Sequence, residues 1–224
     1  MITVIAFDVN ETLLDLRALD PSLDTLLGSA ALRSQWFAQM LQLSFVGGLT
    51  GEYVDFSTAQ HAALRMLAQR QGKAVTSQQA SEMVDRMNVL PAHSEVPQAL
   101  KRLRETPLKV VALVNSLQTV AEEQLIKAGI RDYFDRVISA DTVRKLKPSP
   151  QPYHAVADAF GVDPSEVRLV AAHSWDISGA LAAGRKAAFV ARPGMFLSPI
   201  GAHPDIVEAD IAAVVDKIVA LDVH

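Results

Sequence analysis

The chain contains no cysteine among its 224 residues, which excludes disulfides, thiolate metal ligands and a cysteine nucleophile. It also lacks a dominant charge: 21 lysines and arginines against 25 aspartates and glutamates leave a formal net charge of -4. Such a balance supplies no field to hold nucleic acid or an anionic membrane, and neither partner is expected. No apolar run approaches the ~20 residues a membrane span needs before a charge interrupts it. Repeats and low-complexity linkers are absent, and no signal-peptide pattern opens the chain, so a cytoplasmic protein is expected. What is present is 50% hydrophobic and 21% charged residues, the balance of a globular protein long enough to bury a real core.

The organising stretch is Val4-Ile5-Ala6-Phe7-Asp8-Val9-Asn10-Glu11-Thr12-Leu13-Leu14-Asp15. Its apolar, β-branched start reads as a strand buried on both faces, ending on a carboxylate. In an open α/β sheet the carboxyl ends of strands are where ligands bind. Asp8 there is either a nucleophile or a residue that ends the strand and caps a turn, presented as an exposed loop carboxylate.

From Arg17 to about His93 strand signals vanish and helical spacing takes over. Leu32, Trp36, Phe37, Met40, Leu41 and Leu43 share one helical face, and Ala59, Ala62, Ala63, Met66 and Leu67 another. The glycine-rich segment 45–51 reads as a loop between them, and Ser77 as the cap of a third helix. Most of these apolar stripes are inter-helix core, with Trp36, Phe37 and Phe56 as candidates to reach a substrate pocket. Further strands are expected at 108–114, 136–139, 167–172 and 186–191, with helices at 98–104, 120–128, 153–160, 177–183 and 211–221. The fold expected is α/β, a Rossmann-like doubly wound parallel sheet with an inserted all-helical cap domain. Residues 1–14 and 95–224 make the core and 15–94 the cap.

Four stretches in order carry a family resemblance: Asp8 with Thr12 and Asp15; the strand ending in Asn115-Ser116; Lys147-Pro148 after a charged segment; and the strand delivering His173-Ser174-Trp175-Asp176. Together they resemble the motifs of the haloacid dehalogenase superfamily, and the likeness spans nearly the whole chain. The resemblance implies that Asp8 is a covalent nucleophile and that Lys147, rather than Lys145, stands against it and keeps it ionised. It implies that Asn115 contacts substrate, and that Arg33, otherwise an ordinary surface arginine, binds the substrate anion or departing halide.

Within that superfamily the phosphatases carry a second aspartate two residues after the nucleophile, where this chain has Asn10, and pair Asp176 with a second acid where this chain has Ala172. With one carboxylate replaced by a methyl group, magnesium should bind poorly, so no metal and no cofactor is expected. Ser174-Trp175-Asp176 instead resembles the fourth motif of the metal-independent, type II (S)-2-haloacid dehalogenases. The implied reaction is hydrolytic dehalogenation of a short 2-haloalkanoate, an anionic small molecule, through an aspartyl ester with inversion at carbon. Asn10 is then harmless, because a halide leaves without an acid. Asp8, Lys147, Asp176 and His173 are the catalytic candidates, with a His173–Asp176 pair as the expected base. Asn10, Arg33, Asn115, Ser116, Phe56, Trp36 and Trp175 are the substrate-binding candidates. The chain departs from the dehalogenase pattern at Val114, where relatives have a hydroxyl that Ser116 could replace, and at Ala171. The alternatives are a small-molecule phosphatase and a non-catalytic member of the fold; relatives also imply a homodimer.

Overall fold

Six short segments form one all-parallel sheet in the computed structural model, which describes residues 1–223. The strands are β1 (Val4–Phe7), β2 (Lys109–Val114), β3 (Arg136–Ser139), β4 (Val167–Ala171), β5 (Lys186–Val190) and β6 (Ile206–Glu208), in the order β3-β2-β1-β4-β5-β6. Period-two alternation divides the sheet's side chains between two cores. Val4, Ala6, Val111, Leu113, Leu169 and Phe189 pack on one face against α7 (Pro150–Phe160) and α8 (Ser174–Ala182). On the other, Ile5, Phe7, Val110, Ala112 and Val170 join the larger core, which takes in α5 (Val96–Arg104), α6 (Gln118–Lys127) and α9 (Ile211–Asp222). Burial on both faces is why these strands read as continuous apolar runs.

This strand order places a switch point at β1: the chain builds outward through β2 and β3, then returns to the opposite side of β1 to form β4. At such a point the flanking connections diverge to opposite faces and leave a crevice outside the carboxyl ends. Asp8 follows directly on β1, and His173 to Asp176 follow β4, so both motifs meet there.

The segment between β1 and β2 carries α1 (Asp20–Leu27), α2 (Leu32–Thr50), α3 (Phe56–Arg70) and α4 (Ser77–Asp85) before α5. These helices pack on one another, α2 against α3 most extensively. Two local expectations are corrected here. Residues 45–51 are not a loop: α2 runs through Gly47 and Gly48 and ends at Gly51, whose φ of 81° terminates it. Gly47 serves close approach instead, since a Cβ there would lie 2.6 Å from the Glu52 carbonyl oxygen. The third cap is Thr76 rather than Ser77, in a capping box with Gln79. A sixth strand, β6, was also not expected; three residues paired to β5 are too short to carry a period. No described helix is long and apolar enough to cross a membrane.

Candidate active site

Asp8 extends the β1 ladder, its N–H donating to the Val170 carbonyl, and the chain then reverses sharply. Leu13 and Leu14 both donate to the Val9 carbonyl, and Glu11 adopts φ +62° to close the turn. The turn aims Thr12 back at Asp8: its hydroxyl donates to Asp8 Oδ2 at 2.7 Å and accepts from the Ala172 N–H at 2.9 Å. One hydroxyl thus ties the β1 motif to the end of β4.

Lys147 completes the cluster. Its ammonium donates to Asp8 Oδ1 at 2.9 Å, Asp176 Oδ2 at 2.6 Å and the Leu113 carbonyl at 3.0 Å, which uses all three protons. The lysine loop is held from β2: Asn115 accepts the Lys147 N–H at 2.8 Å and donates to its carbonyl at 3.3 Å. The second Asp176 oxygen accepts from the Tyr153 hydroxyl at 2.6 Å. Gly179 makes room for that contact, because a Cβ there would lie 2.5 Å from the Tyr153 oxygen and 2.6 Å from Pro148 Cβ.

Lys147 and Asp176 are 0% exposed and Asp8 6%, so two carboxylates share one ammonium away from water. Burial alone would raise the Asp8 carboxyl, but the Lys147 ammonium, with His173 and the Thr12 hydroxyl, outweighs it and holds Asp8 below its ordinary value. Asp176 moves the other way, raised by burial and by the charge of Asp8 against the pull of Lys147. Burial would strip Lys147 of its proton, but the two carboxylates keep it protonated and raise it. Ionisation is therefore favoured at Asp8 and disfavoured at Asp176. A cation already stands between the two carboxylates, and among the described residues no group of three or more His, Asp or Glu is placed to hold a metal ion.

An aromatic wall flanks the cluster. The Lys147 ammonium lies 5.8 Å from the Trp175 ring centre; His173 stacks on Trp175 at 5.4 Å and meets Phe37 at 5.3 Å. Phe37, Leu41, His173, Trp175 and Glu11 border a cavity of about 370 Å³. A second cavity, of about 460 Å³, lies on the other side of Glu11 and is bordered by Arg33, His93 and Arg192. Burial keeps His173 below its ordinary value against the pull of Asp8 and Asp176, and pushes the Glu11 carboxyl up to about 7.

Asp8, Lys147, Asp176, His173 and Trp175 are thus brought together, with Phe37 beside them. Several expectations need correction. Asp8 is buried rather than an exposed loop carboxylate. The His173–Asp176 pair does not form, because both Asp176 oxygens are taken by Lys147 and Tyr153; the carboxylates nearest His173 Nε2 are Glu11 at 3.6 Å and Asp8 at 3.8 Å. Both ends of the Asn115 amide bond the Lys147 backbone, so its side chain braces the lysine. Asn10 is turned toward the interior, accepting from Gln124 at 3.2 Å. Ser116 and Phe56 border a separate cavity of about 90 Å³ with Gln124. Trp36 is fully buried, its indole N–H donating to the Gln60 carbonyl, and borders neither cavity beside Glu11. Arg33 borders the second of those cavities and is ion-paired with Asp20.

Sequence reasoning missed Tyr153, Glu11 and the bridging role of Thr12. Tyr153 gave little signal, as a polar-tipped aromatic in the first turns of a helix. Glu11 gave more: a long acidic side chain inside a tight turn between Asp8 and Thr12.

Comparison with known proteins bears on this arrangement. A sequence model of haloacid dehalogenase-like hydrolases matches residues 2–184. The chain is 29% identical over 214 residues to an (S)-2-haloacid dehalogenase of Pseudomonas sp. strain YL, covering 95% of this chain and 92% of that one. It is 31% identical over 194 residues to an (S)-2-haloacid dehalogenase of Xanthobacter autotrophicus, covering 86% of this chain and 76% of that one. A solved L-2-haloacid dehalogenase from Xanthobacter autotrophicus, with chloropropionic acid covalently bound, superimposes with a TM-score of 0.91 at 26% identity over 99% of both chains.

Proposed function

The chain belongs to the haloacid dehalogenase-like hydrolases, and on that premise we propose that it is a hydrolytic 2-haloacid dehalogenase of the type II branch. The observation that carries this reading is the buried Lys147–Asp8 contact of 2.9 Å beside an aromatic wall, in a chain whose relatives act on 2-haloacids. Lys147 keeps Asp8 ionised, and Thr12 and Lys147 between them fix both of its oxygens. A carboxylate held in one orientation is set for attack along a single line.

The reaction runs in two steps. An Asp8 oxygen attacks the halogen-bearing carbon of a short 2-haloalkanoate from the side opposite the halogen, the C–X bond breaks, and halide leaves with the electron pair. Asp8 is then an ester of the 2-hydroxy acid, and the configuration at that carbon has inverted. Water next attacks the Asp8 carbonyl and releases the hydroxy acid. Halide needs no proton to leave, consistent with an amide at Asn10, which accepts from Gln124 and has no acidic proton to give a leaving group. Phe37 and Trp175 supply apolar contact for the halogen-bearing end, and Arg33 stands by the neighbouring cavity as an anion site once released from Asp20. We read residues 15–94 as a cap over a core made of 1–14 and 95–224, and the enzyme as cytoplasmic, with a homodimer as in its branch.

Both enantiomers of 2-chloropropionate should be offered while chloride and the configuration of lactate are followed. Chloride release from the (S) form, with (R)-lactate as product, supports the reading. Phosphate release from an aryl phosphate with no chloride from either enantiomer replaces it with a phosphatase.

A further inference from the structure

Hydrolysis of the Asp8 ester needs a base, and the buried cluster narrows the choice. Lys147 carries its proton and spends it on three acceptors. Asp176 is 0% exposed and borders neither cavity beside Glu11, so water does not reach it. That leaves His173 and Glu11, whose facing atoms lie 3.6 Å apart, with the same His173 Nε2 standing 3.8 Å from Asp8 Oδ2.

Glu11 is also where the backbone is costly. At φ +62° it holds a conformation that glycine takes freely and a long side chain rarely does. Strain kept beside a reacting group points to a function for the side chain that bears it. The carboxylate borders two cavities, one of them shared with His173, so water reaches it while Asp176 is sealed off.

We propose that His173 is the base that takes a proton from the ester-cleaving water, and that Glu11 acts through it, its carboxylate facing Nε2 and balancing the imidazolium once that proton has arrived. This rests on the dehalogenation reading. The balance is as follows. Water oxygen bonds to the Asp8 carbonyl carbon while one of its protons passes to Nε2. The tetrahedral intermediate then breaks its bond to the ester oxygen, which takes that proton from Nε2 and leaves as the hydroxy acid. Asp8 returns as a carboxylate carrying one oxygen from water, and the remaining proton passes to solvent. Esterification also readies the pair. Burial chiefly holds the Glu11 carboxyl up near 7 and the charge of Asp8 adds to it, so neutralising Asp8 as an ester shifts Glu11 toward its ionised form when His173 needs a carboxylate beside it.

The test is rapid-quench chloride release from 2-chloropropionate, with mass spectrometry of the Asp8 peptide, on wild type, Glu11→Gln, Glu11→Gly, Glu11→Asp and His173→Asn. The expected result is a first-turnover burst of about one chloride per enzyme in every variant, followed by slow turnover and an accumulated Asp8 ester. His173→Asn should slow the second phase by roughly 10²- to 10⁴-fold, the usual range for a general base, with Glu11→Gln slowed less, by tenfold or more. Glu11→Asp should recover part of the rate, whereas Glu11→Gly, which relieves the backbone, should not. Wild-type turnover in Glu11→Gln without trapped ester, or loss of the burst itself, overturns this assignment and leaves the dehalogenation reading standing. A wild type that releases no chloride overturns both.

Discussion

The ammonium of Lys147 sits 2.9 Å from Asp8 in a pocket where the lysine is 0% exposed, and it serves Asp176 as well, one buried cation between two carboxylates. Replacing it with methionine strands those charges. Lys147→Met should lower kcat by roughly 10²- to 10³-fold, the scale of losing one preorganised electrostatic contact, as read by initial rates of chloride release. Breaking a buried pair by removing one partner should also cost about 3–5 kcal/mol, as read by urea unfolding.

Asp8→Asn should cost less stability than Lys147→Met. Against burial, Lys147 holds the Asp8 carboxyl below its ordinary value, so its charge stabilises the folded state. Removing that charge forfeits this contribution but leaves a balanced Lys147–Asp176 pair and takes away the repulsion that helps push Asp176 up. Chloride release should vanish while the free energy of unfolding falls by less than the ~3–5 kcal/mol expected for Lys147→Met. A variant that unfolds would show that Asp8 holds the fold together.

Three of the motifs were legible because each rides on the end of a strand buried on both faces, and such strands announce themselves as apolar runs stopped by a polar residue. Lys147-Pro148, in the loop beyond β3, carries no such signal, and it was the family resemblance of the four stretches in order that named Asp8, Lys147 and Asp176 together. What could not be read were partners supplied by tertiary packing. Tyr153 reaches Asp176 only because Gly179 lets two helices close, and Asn115 braces the Lys147 backbone with both amide ends. The His173–Asp176 pairing failed for a related reason: sequence proximity on a helix start says nothing about donors arriving from elsewhere. Glycines misled in α2, since Gly47 permits close approach without ending the helix.

Tyr153 and Gly179 give a paired prediction. Tyr153→Phe removes a donor to a buried carboxylate and should cost about 1–3 kcal/mol, with Asp176 raised further. Gly179→Ala puts a methyl where the Tyr153 oxygen sits and should cost a similar ~1–3 kcal/mol by overpacking. If both act by loosening Asp176, chloride-release rates should fall together, and the double variant should lose less than the sum of the two singles.

Glu11 makes folding stability depend on pH in a predictable direction. Its carboxyl is raised from 4.5 to about 7, so the folded state binds more protons than the unfolded state across that window. Stability from this group is complete below 4.5 and is lost as pH rises through about 7, amounting to about 3 kcal/mol at 1.36 kcal/mol per pH unit. Glu11→Gln does not titrate. It should therefore stabilise the protein more at pH 8 than at pH 5, by about 2–3 kcal/mol in urea unfolding. Equal effects at the two pH values would mean that the carboxyl titrates normally in the folded protein.

The most direct measurement of the central step is a single turnover of 2-chloropropionate, with enzyme in excess, in water enriched in heavy oxygen, followed by mass spectrometry of the Asp8 peptide and of the lactate. Attack by Asp8 on carbon puts the heavy oxygen into the Asp8 carboxylate and leaves the first lactate unlabelled. Labelled lactate with an unlabelled peptide would mean that water attacks the carbon directly and that Asp8 never bonds to it.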